Sequence, residues 1–145
     1  MAAHFGSAQR DDEAGARRRA REILSLVGLS TDADASPALL GASGLKKLEL
    51  ARALATGPRL LLADESLGGL DPAEMSGAAE MLKRIRGELG ITIVWVEHIM
   101  ATLMRVVDRV VVLDHGEKIA EGRPLEVAED PTVVEAYLGE KIVLA

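Results

Sequence analysis

The sequence predicts an α/β fold with a mostly parallel sheet, and three observations predict it. Short apolar runs rich in Leu, Ile and Val occur at 59–64, 91–96 and 109–113, and longer segments of helical period separate them. Strands alternating with helices of that length are the pattern of βαβ units. Two of the runs also end in polar groups, Asp64 and Glu65 after the first and His98 after the second. Ligands of open α/β sheets collect outside the carboxyl ends of the strands. Asp64, Glu65 and His98 are therefore expected to meet in one crevice.

The elements follow in order. Residues 1–9 have no periodicity and read as irregular. Asp11, Asp12 and Glu13 then place acids where a helix dipole favours them. Ala16, Ala20, Ile23, Leu24 and Val27 recur at helical spacing over about 12–27, with Gly28 as the stop. After a polar connection at 30–39, a second helix is expected from Ser43 or Gly44 through Leu45, Leu48, Leu50, Ala51 and Leu54, ending at Thr56-Gly57-Pro58. The strand 59–64 comes next. Asp71-Pro72-Ala73-Glu74 combines an N-cap acid, Pro at the first helical position and Glu at the third. The helix it opens carries Met75, Ala79, Met81, Leu82 and Ile85 and ends at Gly90. Residues 91–96 are β-branched and nearly all apolar, which predicts a strand buried on both faces. A helix bearing Ile99, Met100, Leu103, Met104 and Val107 precedes the strand 109–113. Asp114-His115-Gly116 is a turn into a short strand at 117–120, and Asp130-Pro131 caps a last helix with Val133, Val134, Tyr137 and Leu138, closed by Gly139.

Composition narrows the function classes. A length of 145 residues fits one domain with a core of its own, and 48% apolar with 28% charged residues is ordinary for a globular protein. A formal charge of −6 argues against nucleic acid or an anionic membrane as partner. The run Arg17, Arg18, Arg19 and Arg21 reads as a solvated helix face. With one Trp, one Tyr and one Phe, stacking on bases is not expected. The absence of Cys excludes disulfides and thiolate metal sites. No apolar stretch suits a signal peptide or approaches the roughly 18 residues of a membrane span.

Several phrases, in order, resemble the ATPase subunits of ABC transporters over about 22–139. They are Leu40-Gly41-Ala42-Ser43-Gly44 running into Leu48-Glu49-Leu50-Ala51-Arg52-Ala53-Leu54-Ala55-Thr56, the strand ending in Asp64-Glu65, Gly69-Leu70-Asp71-Pro72-Ala73-Glu74, and Val96-Glu97-His98-Ile99-Met100. With 130–139, they are similar to the subfamily that energises branched-chain amino acid importers. The resemblance implies part of a P-loop NTPase core at 57–145, containing the Walker B strand, D-loop and switch histidine, and part of the helical signature subdomain at 1–56.

It also implies roles. Asp64 matches the Walker B aspartate that helps hold Mg²⁺ on the β- and γ-phosphates of ATP, and a hard cation suits a carboxylate. Glu65 matches the residue that orients attacking water, and His98 the residue that touches the γ-phosphate. Ser43 and Gly44 fall in the signature segment, whose helix N-terminus faces the nucleotide of a second ATPase subunit. Here Leu-Gly-Ala-Ser-Gly stands where the family has Leu-Ser-Gly-Gly-Gln, and Ser43 is equally read as a plain N-cap. Asp71 matches the D-loop acid and is equally explained by its Asp-Pro-x-Glu cap. Ser66 stands where the family has Pro.

One motif is missing. No G-x-x-x-x-G-K-[ST] phosphate loop occurs, no Gly is followed by Lys, and the sole glutamine, Gln9, lies in no Q-loop context. That loop supplies most phosphate contacts in the family, so Mg-ATP is expected to need a missing N-terminal half, and Met1 reads as an internal methionine of a longer frame. The implied partners are a second ATPase subunit and membrane permease subunits, with a cytoplasmic location at the inner membrane. The alternative is a non-catalytic module that presents its signature and D-loop to an intact ATPase. A head ATPase of DNA-repair type fits the acidic balance and the absence of a coiled coil less well.

Overall fold

The structure, a computed structural model, describes residues 12–29, 36–65 and 71–138. The expected irregular start at 1–9 with Gln9, the acid Asp11, most of the polar connection at 30–35, Ser66, the Gly69-Leu70 part of the D-loop phrase and the Gly139 stop lie outside the described residues. The chain forms two compact units, Met1–Glu97 and His98–Ala145.

The first unit begins with α1 (Glu13–Leu26), capped by Asp12, whose carboxylate accepts the Gly15 N–H at 2.7 Å. A 3₁₀ turn at Pro37–Leu39 leads to α2 (Ala42–Leu54). Then come β1 (Leu60–Asp64), α3 (Pro72–Leu89) and β2 (Thr92–Val96). The expected capping box opens α3: Asp71 Oδ1 accepts the Glu74 N–H at 2.8 Å, and Glu74 Oε2 accepts the Asp71 N–H at 3.1 Å. Gly90 closes the helix in the left-handed region at φ +62°, where a residue with a Cβ is strained. Arg84 of α3 donates to the Leu26 carbonyl at 2.8 Å, which satisfies an otherwise orphaned acceptor at the end of α1.

Strands β1 and β2 pair in parallel, Leu60 opposite Thr92 through Asp64 opposite Val96. Leu61 joins Val27, Leu29, Ala51, Leu54, Leu82, Ile85 and Ile91 in one core, against which Ile93 and Trp95 pack. This core draws on residues from both sides of the 56/57 boundary expected from the resemblance. Ile85 and Val27 are wholly buried, each worth about 1.5–3 kcal/mol of apolar transfer. The opposite face of the sheet differs from expectation. β2 is not buried on both faces: Val94 and Val96 are exposed, as are Leu60 and, at 71%, Leu62 on β1. The register puts these four on one face, and among the described residues β1 and β2 pair only with each other.

The second unit contains α4 (Met100–Leu103), the antiparallel pair β3 (Val110–Asp114) and β4 (Glu117–Gly122), α5 (Pro124–Ala128) and α6 (Pro131–Val133). The hairpin turns through His115 at φ +46° and Gly116 at φ +85°, both in the left-handed region, as two-residue hairpin turns favour. Met104, Val110, Val112, Val127, Ala128 and Val133 form its core. Three details depart from expectation. α4 is one turn rather than a helix reaching Val107: it has no side-chain cap, and β-branched Val106 and Val107 disfavour continuation. α5 was not anticipated. The last helix becomes a wide π-type turn at Val134–Leu138, where the Tyr137 hydroxyl donates to the Leu113 carbonyl. That contact to β3 is tertiary, so local periodicity does not contain it.

Candidate functional site

The tip of β1 carries Asp64 and Glu65, both exposed. Glu65 is held in the left-handed region at φ +43°, a conformation that costs a residue with a Cβ about 1–2 kcal/mol and that the surroundings must impose. Two bonds do so. The Glu65 N–H donates to the Val96 carbonyl at the end of β2 at 3.0 Å, and Lys46 Nζ from α2 donates to the Glu65 carbonyl at 3.4 Å. Lys46 belongs to none of the motifs legible in the sequence. Its one signal is that α2 has no acid in its first turn and carries Lys46-Lys47 close to its positive end, against the preference of the helix dipole.

A cavity of about 820 Å³ within the first unit is lined in part by Ser43, Lys46, Asp64, Glu65 and Glu74. The structure thus brings Asp64, Glu65 and Ser43 to one cavity. Ser43 is not the N-cap of α2: Gly41 occupies that position, without a side-chain cap bond, and the helix starts at Ala42. The Ser43 hydroxyl is therefore not committed to that bond. Gly44 has a packing reason of its own, since a Cβ there would meet Leu40 Cβ at 3.1 Å. Asp71 is placed as the N-cap of α3. His98 is exposed and begins the second unit, two residues after Val96.

The donor set suits one kind of cation binding and not another. Among the described residues no three His, Asp or Glu side chains gather to hold a metal ion. Asp64 offers a single carboxylate at a solvent-facing strand tip. Mg²⁺ keeps most of its waters and is commonly bound through one or two carboxylates plus substrate phosphates. These residues fit an ion that arrives on a nucleotide, not one held by protein ligands alone.

Two carboxylates at the tip of a parallel strand, beside the start of a helix, suit a nucleotide site, and comparison with known proteins shows what the chain resembles. Over most of its length the chain is similar to the ATP-binding subunits of ABC transporters, as a C-terminal portion of such a subunit would be. The family model described as branched-chain amino acid ATP-binding cassette transporter matches residues 117–142. The methionine import ATP-binding protein MetN 1 of Acinetobacter baylyi is 42% identical over 120 residues, 83% of this chain and 34% of that protein. The high-affinity branched-chain amino acid transport ATP-binding protein BraF of Pseudomonas aeruginosa is 35% identical over 131 residues, 90% of this chain and 51% of its own. Among solved structures, the ADP conformation of MJ1267, an ATP-binding cassette of an ABC transporter, superimposes with a TM-score of 0.79 at 30% identity, covering 94% of this chain and 55% of that one. CbiO1 of Clostridium perfringens gives 0.80 at 28% identity, covering 92% and 53%. The chain thus spans about a third to a half of the length of these relatives.

Proposed function

We propose that this chain is the C-terminal portion of an ABC importer ATPase subunit that binds and hydrolyses ATP to drive amino acid uptake. The observation that carries this reading is the exposed pair Asp64 and Glu65 at the tip of β1, in a chain similar over most of its length to ABC ATP-binding subunits. Asp64 takes the Mg²⁺ that accompanies ATP, Glu65 orients the attacking water, and His98 contacts the γ-phosphate. Ser43 and Gly44 open the signature helix toward the nucleotide of a second ATPase subunit, and Asp71 adds a D-loop carboxylate to that interface. Residues 1–56 act as part of the helical subdomain and 57–145 as part of the ATPase core. Membrane permease subunits are the transport partners. The similarity to ABC ATP-binding subunits supports a peripheral place on the cytoplasmic side of the inner membrane; among the described residues no helix is long and apolar enough to cross a membrane.

The site needs a phosphate cradle from elsewhere, because the sequence contains no phosphate loop. The uncovered sheet face at Leu60, Leu62, Val94 and Val96 supports the same conclusion, since parallel sheets are ordinarily covered on both faces. The family match at 117–142 and BraF favour a branched-chain amino acid as the solute. The higher identity to MetN 1 favours methionine.

Calorimetry with Mg-ATP, on the chain alone and with a polypeptide carrying a phosphate-loop half, tests the reading. Binding only in the mixture supports it. Tight binding by the chain alone would remove the need for a separate cradle, and absence of binding in a mixture shown to associate would remove Asp64 and Glu65 from a nucleotide site.

A further inference from the structure

We propose that Lys46 is a positioning residue that locks the backbone of Glu65 and couples it to the first turns of α2; this rests on the role proposed above for Glu65. The Glu65 N–H is already engaged by Val96 at 3.0 Å, which fixes the residue to the end of β2. Its carbonyl is engaged from the other side by Lys46 Nζ at 3.4 Å. Between these two bonds lies the φ of +43°, a backbone state that a glutamate does not hold by preference. A cation on a flexible stem suits this task, because an ammonium has three donors and its bond to a carbonyl is charge-assisted. The direction of the Glu65 side chain follows from that backbone state, so the group that holds the carbonyl also aims the carboxylate.

The lysine has a second consequence through its own helix. Ser43 and Lys46 are three residues apart on α2 and therefore neighbours on one helical face, and both line the cavity with Glu65. A ligand that moves the start of α2 through Ser43 moves Lys46 with it, and Lys46 carries that displacement to the Glu65 carbonyl. Lys47 has the same charge and lies on the same helix. It stands beside Gly28, where an added Cβ would lie 3.9 Å from its Nζ, and so serves as the internal control.

The test is residue-resolved amide hydrogen exchange by NMR on the full chain and on Lys46→Met, Lys46→Arg and Lys47→Met. Lys46→Met is expected to speed exchange of the Glu65 N–H by about three- to tenfold, the effect of losing one modest hydrogen bond that restrains it. The amides of Leu61–Ala63 should keep their rates. Lys46→Arg should restore most of the protection, and Lys47→Met should leave Glu65 unchanged. An unchanged Glu65 rate in Lys46→Met, an equal acceleration along all of β1, an effect of equal size from Lys47→Met, or a Lys46→Met chain without a folded spectrum would each overturn the proposal. A lysine on which the whole fold depends is not a local restraint. This readout involves no nucleotide, so its failure is separate from failure of the calorimetric test.

Discussion

Replacing Asp71 by Ala removes the acceptor at the start of α3 and separates two explanations of that residue. Two bonds are lost or loosened: Glu74 N–H to Asp71 Oδ1 at 2.8 Å, and its reciprocal from Asp71 N–H to Glu74 Oε2 at 3.1 Å. Both bonds are exposed, so water replaces part of each, and the expected cost is about 1 kcal/mol, the middle of the range for N-cap loss. That changes the ratio of folded to unfolded chain roughly fivefold and lowers the melting temperature by about 4–8 °C for a unit of this size. Trp95 is the sole tryptophan and packs against the core to which α3 contributes Leu82 and Ile85, so its emission during urea unfolding reads the relevant unit. Asp71→Asn and Asp71→Ser should recover most of the loss, because both side chains cap well. An Asp71→Ala chain as stable as the parent, or an Asn variant no better than Ala, would refute the capping argument. If Asp71→Asn keeps its stability but lowers hydrolysis in a complemented complex, the carboxylate has the additional D-loop role proposed for it.

Three further outcomes follow from the same structure. Ile85→Ala, at a side chain with no exposed surface, should cost about 2–5 kcal/mol in the same urea experiment. Leu62→Glu should change the stability of the chain by no more than about 0.5 kcal/mol, since the side chain is 71% exposed, yet weaken association with the phosphate-loop half by about tenfold or more when measured by calorimetry, because the charge would be covered. Glu65→Gly should stabilise the chain by up to about 1 kcal/mol by relieving the left-handed backbone, while removing the carboxylate and with it any hydrolysis in a complemented complex.

Much of the fold was legible because it is written in local chemistry. The Asp-Pro-Ala-Glu start and Gly90 stop of α3 are short-range signals with one physical solution each. The apolar runs at β1, β2 and β3 were recognisable as strands to within a residue or so at their ends. α5 used the same device as α3: Pro124 opens it, and Glu126 Oε2 accepts the Arg123 N–H at 2.9 Å, so Pro followed by an acid two residues on was the available signal. What escaped was relational. Whether β2 is covered on one face or two depends on layers supplied by other residues, and an apolar run is the same in both cases. Asp64 and Glu65 were legible as the polar end of an apolar run, whereas the nearness of Ser43, expected to face a second subunit, and the reach of Lys46 to Glu65 join residues that share no sequence pattern. The π-type widening near Tyr137 likewise depends on the Leu113 carbonyl.

The open face of the β1–β2 sheet has a consequence for the life of the polypeptide in a cell. Leu60, Leu62, Val94 and Val96 present branched apolar side chains on extended backbone, the kind of surface that chaperones hold and that proteases and aggregation consume. Under the arrangement proposed above, capture by a covering phosphate-loop half and loss to these competing fates would draw on the same exposed population. Abundance becomes a matter of relative rates.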